Sequence, residues 1–90
     1  MLAVNNYTPE SLETMYNDER LDFKTKGILT YLCMQGTGEE VTVEDLMKVS
    51  TNGTVAVHNA LKEAEEHGYL IRERLRDNGR LQGHKWIVEL

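Results

Sequence analysis

Apolar residues in this chain recur at three- and four-residue intervals as far as Gly68 and at two-residue intervals after it, which predicts helices followed by a hairpin. Thr8 and Pro9 read as an N-cap with proline in the first turn. Leu12, Met15 and Tyr16, at i, i+3 and i+4, then make a short amphipathic helix ending near Asn17. Asp22 caps a second helix that runs through FKTKGILTYLCMQ to the break at Gly36-Thr37-Gly38. Its broad apolar face, made of Phe23, Ile28, Leu29, Tyr31, Leu32 and Cys33, suits a central core helix. Gly27 inside it costs about 1 kcal/mol relative to alanine, so close packing against a neighbouring helix is expected there.

Thr42 caps a third helix whose first turn carries Glu44 and Asp45, favourable at its positive end, with Val43, Leu46, Met47 and Val49 facing the core. The turn Ser50-Thr51-Asn52-Gly53 leads into a helix with apolar positions at Val55, Val57, Ala60, Leu61 and Ala64. Gly68 ends that helix in the left-handed conformation. Tyr69 to Arg76 and Arg80 to Leu90 read as strands joined through Asp77-Asn78-Gly79, a turn sequence that favours positive φ. Arg72, Arg74 and Arg76 project from one face of the first strand and Ile71, Glu73 and Leu75 from the other, while Trp86 and Val88 share a face.

Ninety residues with 40% hydrophobic content suit one compact domain, read as an arm or short helix over residues 1–19 and a folded unit over 20–90. The single cysteine, Cys33, lies in an apolar run, so it reads as a buried small hydrophobe in a chain suited to a reducing cytoplasm. No basic segment precedes a sustained apolar core near the N-terminus, and no run approaches the roughly 18 apolar residues of a membrane span. A cytoplasmic protein with no membrane partner is the expectation.

The formal charge of −5 argues against a polyanionic partner until its distribution is considered. Residues 1–68 carry five basic against twelve acidic side chains, net −7, whereas residues 69–90 carry five against three, net +2, gathered at the hairpin. Fields fade over about 8 Å at physiological salt, so a ligand at the hairpin responds mainly to the hairpin.

Two helices joined by a short polar turn with glycine, and a longer helix behind them, form a helix-turn-helix signature, which the basic hairpin strengthens. The segments FKTKGILTYL, VEDLMK and GTVAVHNALKEAEEHGYLIRERLRDNGR resemble the winged helix-turn-helix domains of phages and bacterial mobile elements. They are similar in particular to the N-terminal domains of phage replication initiators, or replisome organisers, and to small regulators with the same core. The resemblance covers roughly residues 20–88. It implies an α+β fold with a three-helix core, a C-terminal β-hairpin wing and a DNA-binding role in transcription regulation or replication initiation. Such initiators continue into a further domain, so the chain is expected to be a standalone small protein or one domain of a longer one.

In helix-turn-helix docking the recognition helix enters the major groove by its N-terminal turns, which nominates Thr51, Asn52, Thr54, His58, Asn59 and Lys62. Asn59 can pair with adenine through two hydrogen bonds, whereas Thr51, Asn52 and the helix N-terminus suit phosphate oxygens. On the wing, Arg72, Arg74, Arg76 and Arg80 suit phosphate or the minor groove. If about four phosphates are neutralised, log K falls with log salt at a slope near −3.6. The carboxylates of Glu63, Glu65 and Glu66 fall on the far half of the same helix, where solubility is their expected role.

His58, His67 and His84 are widely spaced and have no cysteine partner at ligand spacing, and no nucleophile elbow or phosphate-cradling glycine loop is present. A non-enzyme without metal or cofactor is therefore expected. Its partner would be double-stranded DNA, with a homodimer on two half-sites as one route to specificity. The competing reading is a protein-interaction module, such as a phage-encoded inhibitor or adaptor, docking its acidic surface on a basic host protein.

Overall fold

Side-chain caps fix where most of the helices begin. In the computed structural model, α1 (Pro9–Tyr16) and α3 (Val43–Lys48) open with reciprocal capping boxes, Thr8 with Ser11 and Thr42 with Asp45. The Asp22 carboxylate accepts from the Lys24 amide at 3.1 Å to start α2 (Phe23–Gln35). α4 (Thr54–Glu66) differs, because Gly53 at its N-cap has no side chain to offer. All residues are described except Asn52 and Asn78, and Arg76, Asp77, Arg80, Leu81 and Gln82 are described by backbone alone. Asn52 and the side chains of Arg76 and Arg80, among the expected DNA-binding positions, thus lie outside the described residues.

α4 ends in a Schellman motif: the Tyr69 amide donates to the Ala64 carbonyl at 2.9 Å and the Gly68 amide to that of Glu65 at 3.2 Å. Gly68 takes φ +81°, the left-handed conformation expected for it. The chain reverses there into β2 (Leu70–Asp77), which pairs antiparallel with β3 (Arg80–Glu89).

The sheet holds a third strand that the periodicity did not predict. β1 (Leu2–Asn5) lies parallel to β3, with Leu2 opposite Trp86 and Val4 opposite Val88, so the strand order is β1-β3-β2. The loop after α2 covers the other edge of β1. Leu2 donates to the Glu39 carbonyl at 2.9 Å and accepts from the Gly38 amide at 2.8 Å, and the Val4 amide donates to the Thr37 hydroxyl at 3.0 Å. The glycine-rich break is thus a clasp on β1 as well as a helix stop.

One face of the sheet, carrying Leu2, Leu70, Trp86 and Val88, is buried beneath α2 and α4, while α1 packs on α2 and α3 on α4. Leu29, Leu32, Leu46, Val57 and Leu61 complete an α+β core to which the first nineteen residues contribute Leu2 and Met15, both fully buried. Each such side chain stabilises the fold by about 1.5–3 kcal/mol relative to its exposed state. Cys33 is buried in the same core, and burial pushes its thiol up to about 11.

Four expectations about packing are corrected. Phe23 is 79% exposed, Val55 73% and Val49 61%, so none of them faces the core. Each sits in the first turn of a helix or at its C-cap, where helical spacing alone does not bring it under cover. Gly27 is also exposed, and among the described residues a Cβ built there would meet nothing within 4 Å, so no described helix packs closely against it.

Two polar clusters lock the elements together. The Glu63 carboxylate of α4 accepts from the Asp22 amide at 2.6 Å and from the buried Thr25 hydroxyl at 2.8 Å, capping α2 from outside. Its role is structural rather than solubilising. In the turn between α1 and α2, Arg20 forks onto both oxygens of Asp18 at 2.9 and 2.7 Å while the Tyr69 hydroxyl donates to Asp18 at 2.7 Å. Those hydrogen bonds, the Arg20 one foremost, hold the Asp18 carboxyl well below the usual carboxylate range.

Candidate nucleic-acid interface

The register of the hairpin decides where its arginines point. Arg72 stands opposite Trp86 and Arg74 opposite His84, so both belong to the sheet face that carries Trp86 and Leu70. Arg72 and Arg74 therefore face the helices, and Ile71, Glu73 and Leu75 alternate onto the other face. Past the end of the core this inner face and the helix pair enclose an open groove of about 760 Å³. Thr42, Val43 and Met47 form its α3 side, Thr54 and His58 its α4 side, and Arg72, Arg74, His84 and Trp86 its hairpin side.

Two arginines on this face have different surroundings. The Arg72 guanidinium donates to the Glu65 carboxylate of α4 at 3.0 and 2.5 Å and lies 5.7 Å from the centre of the Trp86 ring. Its charge is neutralised at close range, and its planar group is fixed between a carboxylate and an indole. Glu65 thus fastens α4 to the hairpin at the groove, which corrects its expected role in solubility. Arg74, one pleat further out, is exposed and makes no hydrogen bond or ion pair among the described residues.

The α4 positions separate in the same way. Thr54 and His58 line the groove and are exposed; Asn59 and Lys62 are exposed beside it without lining it. Thr51 belongs to a second depression, between α2 and α3. The first turn of α4 carries no acidic side chain and its N-cap Gly53 makes no side-chain bond, so the positive end of its dipole meets no carboxylate of its own first turn.

Glu44 and Glu73 also line the groove, Glu73 from the edge strand β2 although it alternates with Arg72 and Arg74, and the sequence marked neither as a site residue. His84 and Trp86 were legible as members of a strand but not as walls of a site. Their role follows from the β2–β3 register, which sequence alternation leaves undetermined. Among the described residues, no group of three His, Cys, Asp or Glu could hold a metal ion, and no helix is long and apolar enough to cross a membrane. Comparison with known proteins found no matching family model, curated protein or solved structure.

Proposed function

We propose that this chain is a winged-helix DNA-binding module, without catalytic activity or cofactor, that holds duplex DNA between the N-terminal half of α4 and the inner face of the β2–β3 hairpin. The observation that carries this reading is Arg74: an exposed guanidinium with no partner among the described residues, on a groove that Glu44, Glu65 and Glu73 also line and that the acid-free first turn of α4 faces. Arginine at such a position suits phosphate or a narrow minor groove. Thr54 and the α4 amides suit phosphate, and Asn59 and Lys62, exposed on the next turns, suit base edges and the adjoining backbone.

Arg72 takes a different part from the one its sequence position suggested. Paired with Glu65 and stacked on Trp86, it ties the wing to the helix and leaves Arg74 as the exposed arginine of β2 without a partner among the described residues. The helix-turn-helix order, the basic hairpin and the resemblance of residues 20–88 to phage and mobile-element domains support a role in transcription control or replication initiation, and the proposed setting is the cytoplasm.

Fluorescence anisotropy with a random duplex at low salt tests this reading. Arg74→Ala is expected to weaken binding and to reduce the magnitude of the salt slope by about 0.9, the share of one phosphate contact. Asn59→Ala is expected to leave random-duplex affinity nearly unchanged while relaxing preference among selected sites. Absence of salt-dependent binding by the wild type, with its circular dichroism intact, would refute the assignment and favour a protein partner for the acidic surface.

A further inference from the structure

Gly27 occupies the middle of α2, where glycine weakens a helix relative to alanine. Within the chain that weakness has no counterpart: Gly27 is exposed and open space lies where its Cβ would be. It lines a depression of about 420 Å³ between α2 and α3, whose walls include Ile28, Tyr31, Leu46 and Val49. Val49 is 61% exposed, and Phe23, one turn before Gly27, is 79% exposed beneath the ammonium group of Lys26. Lys24 is the charged residue of the lining, which contains no carboxylate, and Lys48 adjoins Val49. In a chain with fifteen acidic side chains against ten basic ones, a largely apolar depression whose described lining carries Lys24 and no carboxylate is a local reversal of charge.

We propose that this depression docks an acidic amphipathic helix of a partner protein. Its apolar stripe would lie over Gly27 and Ile28, where the missing side chain admits a close approach of backbones, and its carboxylates would meet Lys24 and Lys48. Phosphate recognition would need the lysines but not the apolar walls, so a protein segment fits better than nucleic acid. The surface is distinct from the hairpin groove and stands or falls independently of DNA binding there.

The test titrates isotope-labelled full chain, followed by amide chemical shifts, with a stapled amphipathic peptide bearing leucines at i, i+4 and i+7 and glutamates elsewhere. The lysine counterpart of that peptide and a random DNA duplex serve as parallel probes. Saturable shifts at Gly27, Ile28, Tyr31 and Val49 with the glutamate peptide, weakened about tenfold by Gly27→Gln and by Val49→Asp, are expected. Gly27→Gln places a good helix former at an exposed position, so the fold is retained and its loss of binding reports on the surface. No saturable shift, equal binding of the lysine peptide, or DNA moving the Gly27, Ile28 and Tyr31 resonances would each overturn the proposal.

Discussion

At the scale of single residues, open space at Gly27 has a measurable consequence for stability. Gly27→Ala meets no atom within 4 Å and removes backbone freedom from the unfolded chain, so the variant is expected to be more stable by about 0.5–1 kcal/mol. Urea denaturation with an unchanged m-value checks this. Asp18 sets an acid limit. Its folded carboxyl sits below the ordinary value of about 3.9, so the stability it contributes is complete above that pH and is lost as pH falls toward the depressed value. Thermal melts are expected to show the wild type falling faster than Asp18→Asn on acidification below about pH 4. The thiol of Cys33, raised to about 11 by burial, is expected to resist iodoacetamide at neutral pH until denaturant opens the core.

Residue identity at the caps was legible in advance because it acts locally: Thr8, Asp22 and Thr42 reach amides two or three residues on. Exposure was less legible. Phe23, Val49 and Val55 have helical spacing, but periodicity reports which residues share a side, and whether that side is covered depends on elements distant in sequence.

Among the elements, each helix and both hairpin strands could be read from spacing, capping and turn residues, since all of these signals lie within a few positions. β1 could not. Four residues give only one alternation, and what makes LAVN a strand is a partner more than eighty residues away. The same distinction applies to the polar ties between elements. Glu63 and Glu65 read as a solvated acidic run, yet one caps α2 and the other holds Arg72, because α4 is packed between α2 and the hairpin. Glu63→Ala strands the buried Thr25 hydroxyl and the Asp22 amide, and is expected to lower stability by about 1–3 kcal/mol in chemical denaturation. Glu66, which is exposed, serves as the control position.

For the molecule as a whole, the division of charge into an acidic helical body and a basic hairpin could be seen before the fold, but the direction of the arginines could not. It depends on the β2–β3 register, which turns Arg72 and Arg74 toward α4 instead of outward. Global stability rests on one core to which the first residues contribute fully. Leu2→Ala, which empties a site with no exposure, is expected to cost about 2–5 kcal/mol, an amount comparable to the whole stability of many small domains.

The parallel pairing of β1 with β3 also sets an order of events during synthesis. β1 is made before every helix, and the strand it must pair with is made after all of them. At about 5–20 residues per second, the 84 positions between Asn5 and Glu89 correspond to roughly 4–17 s during which β1 has no β3. Residues 37–39, which bond to Leu2 and Val4 on the opposite edge, emerge less than halfway through that interval. They can shelter the nascent strand from other chains until its permanent neighbour is translated. Weakening that shelter with Thr37→Val is expected to increase aggregation of ribosome-stalled chains ending before Arg80 more than that of the completed protein, measured by sedimentation of the two species.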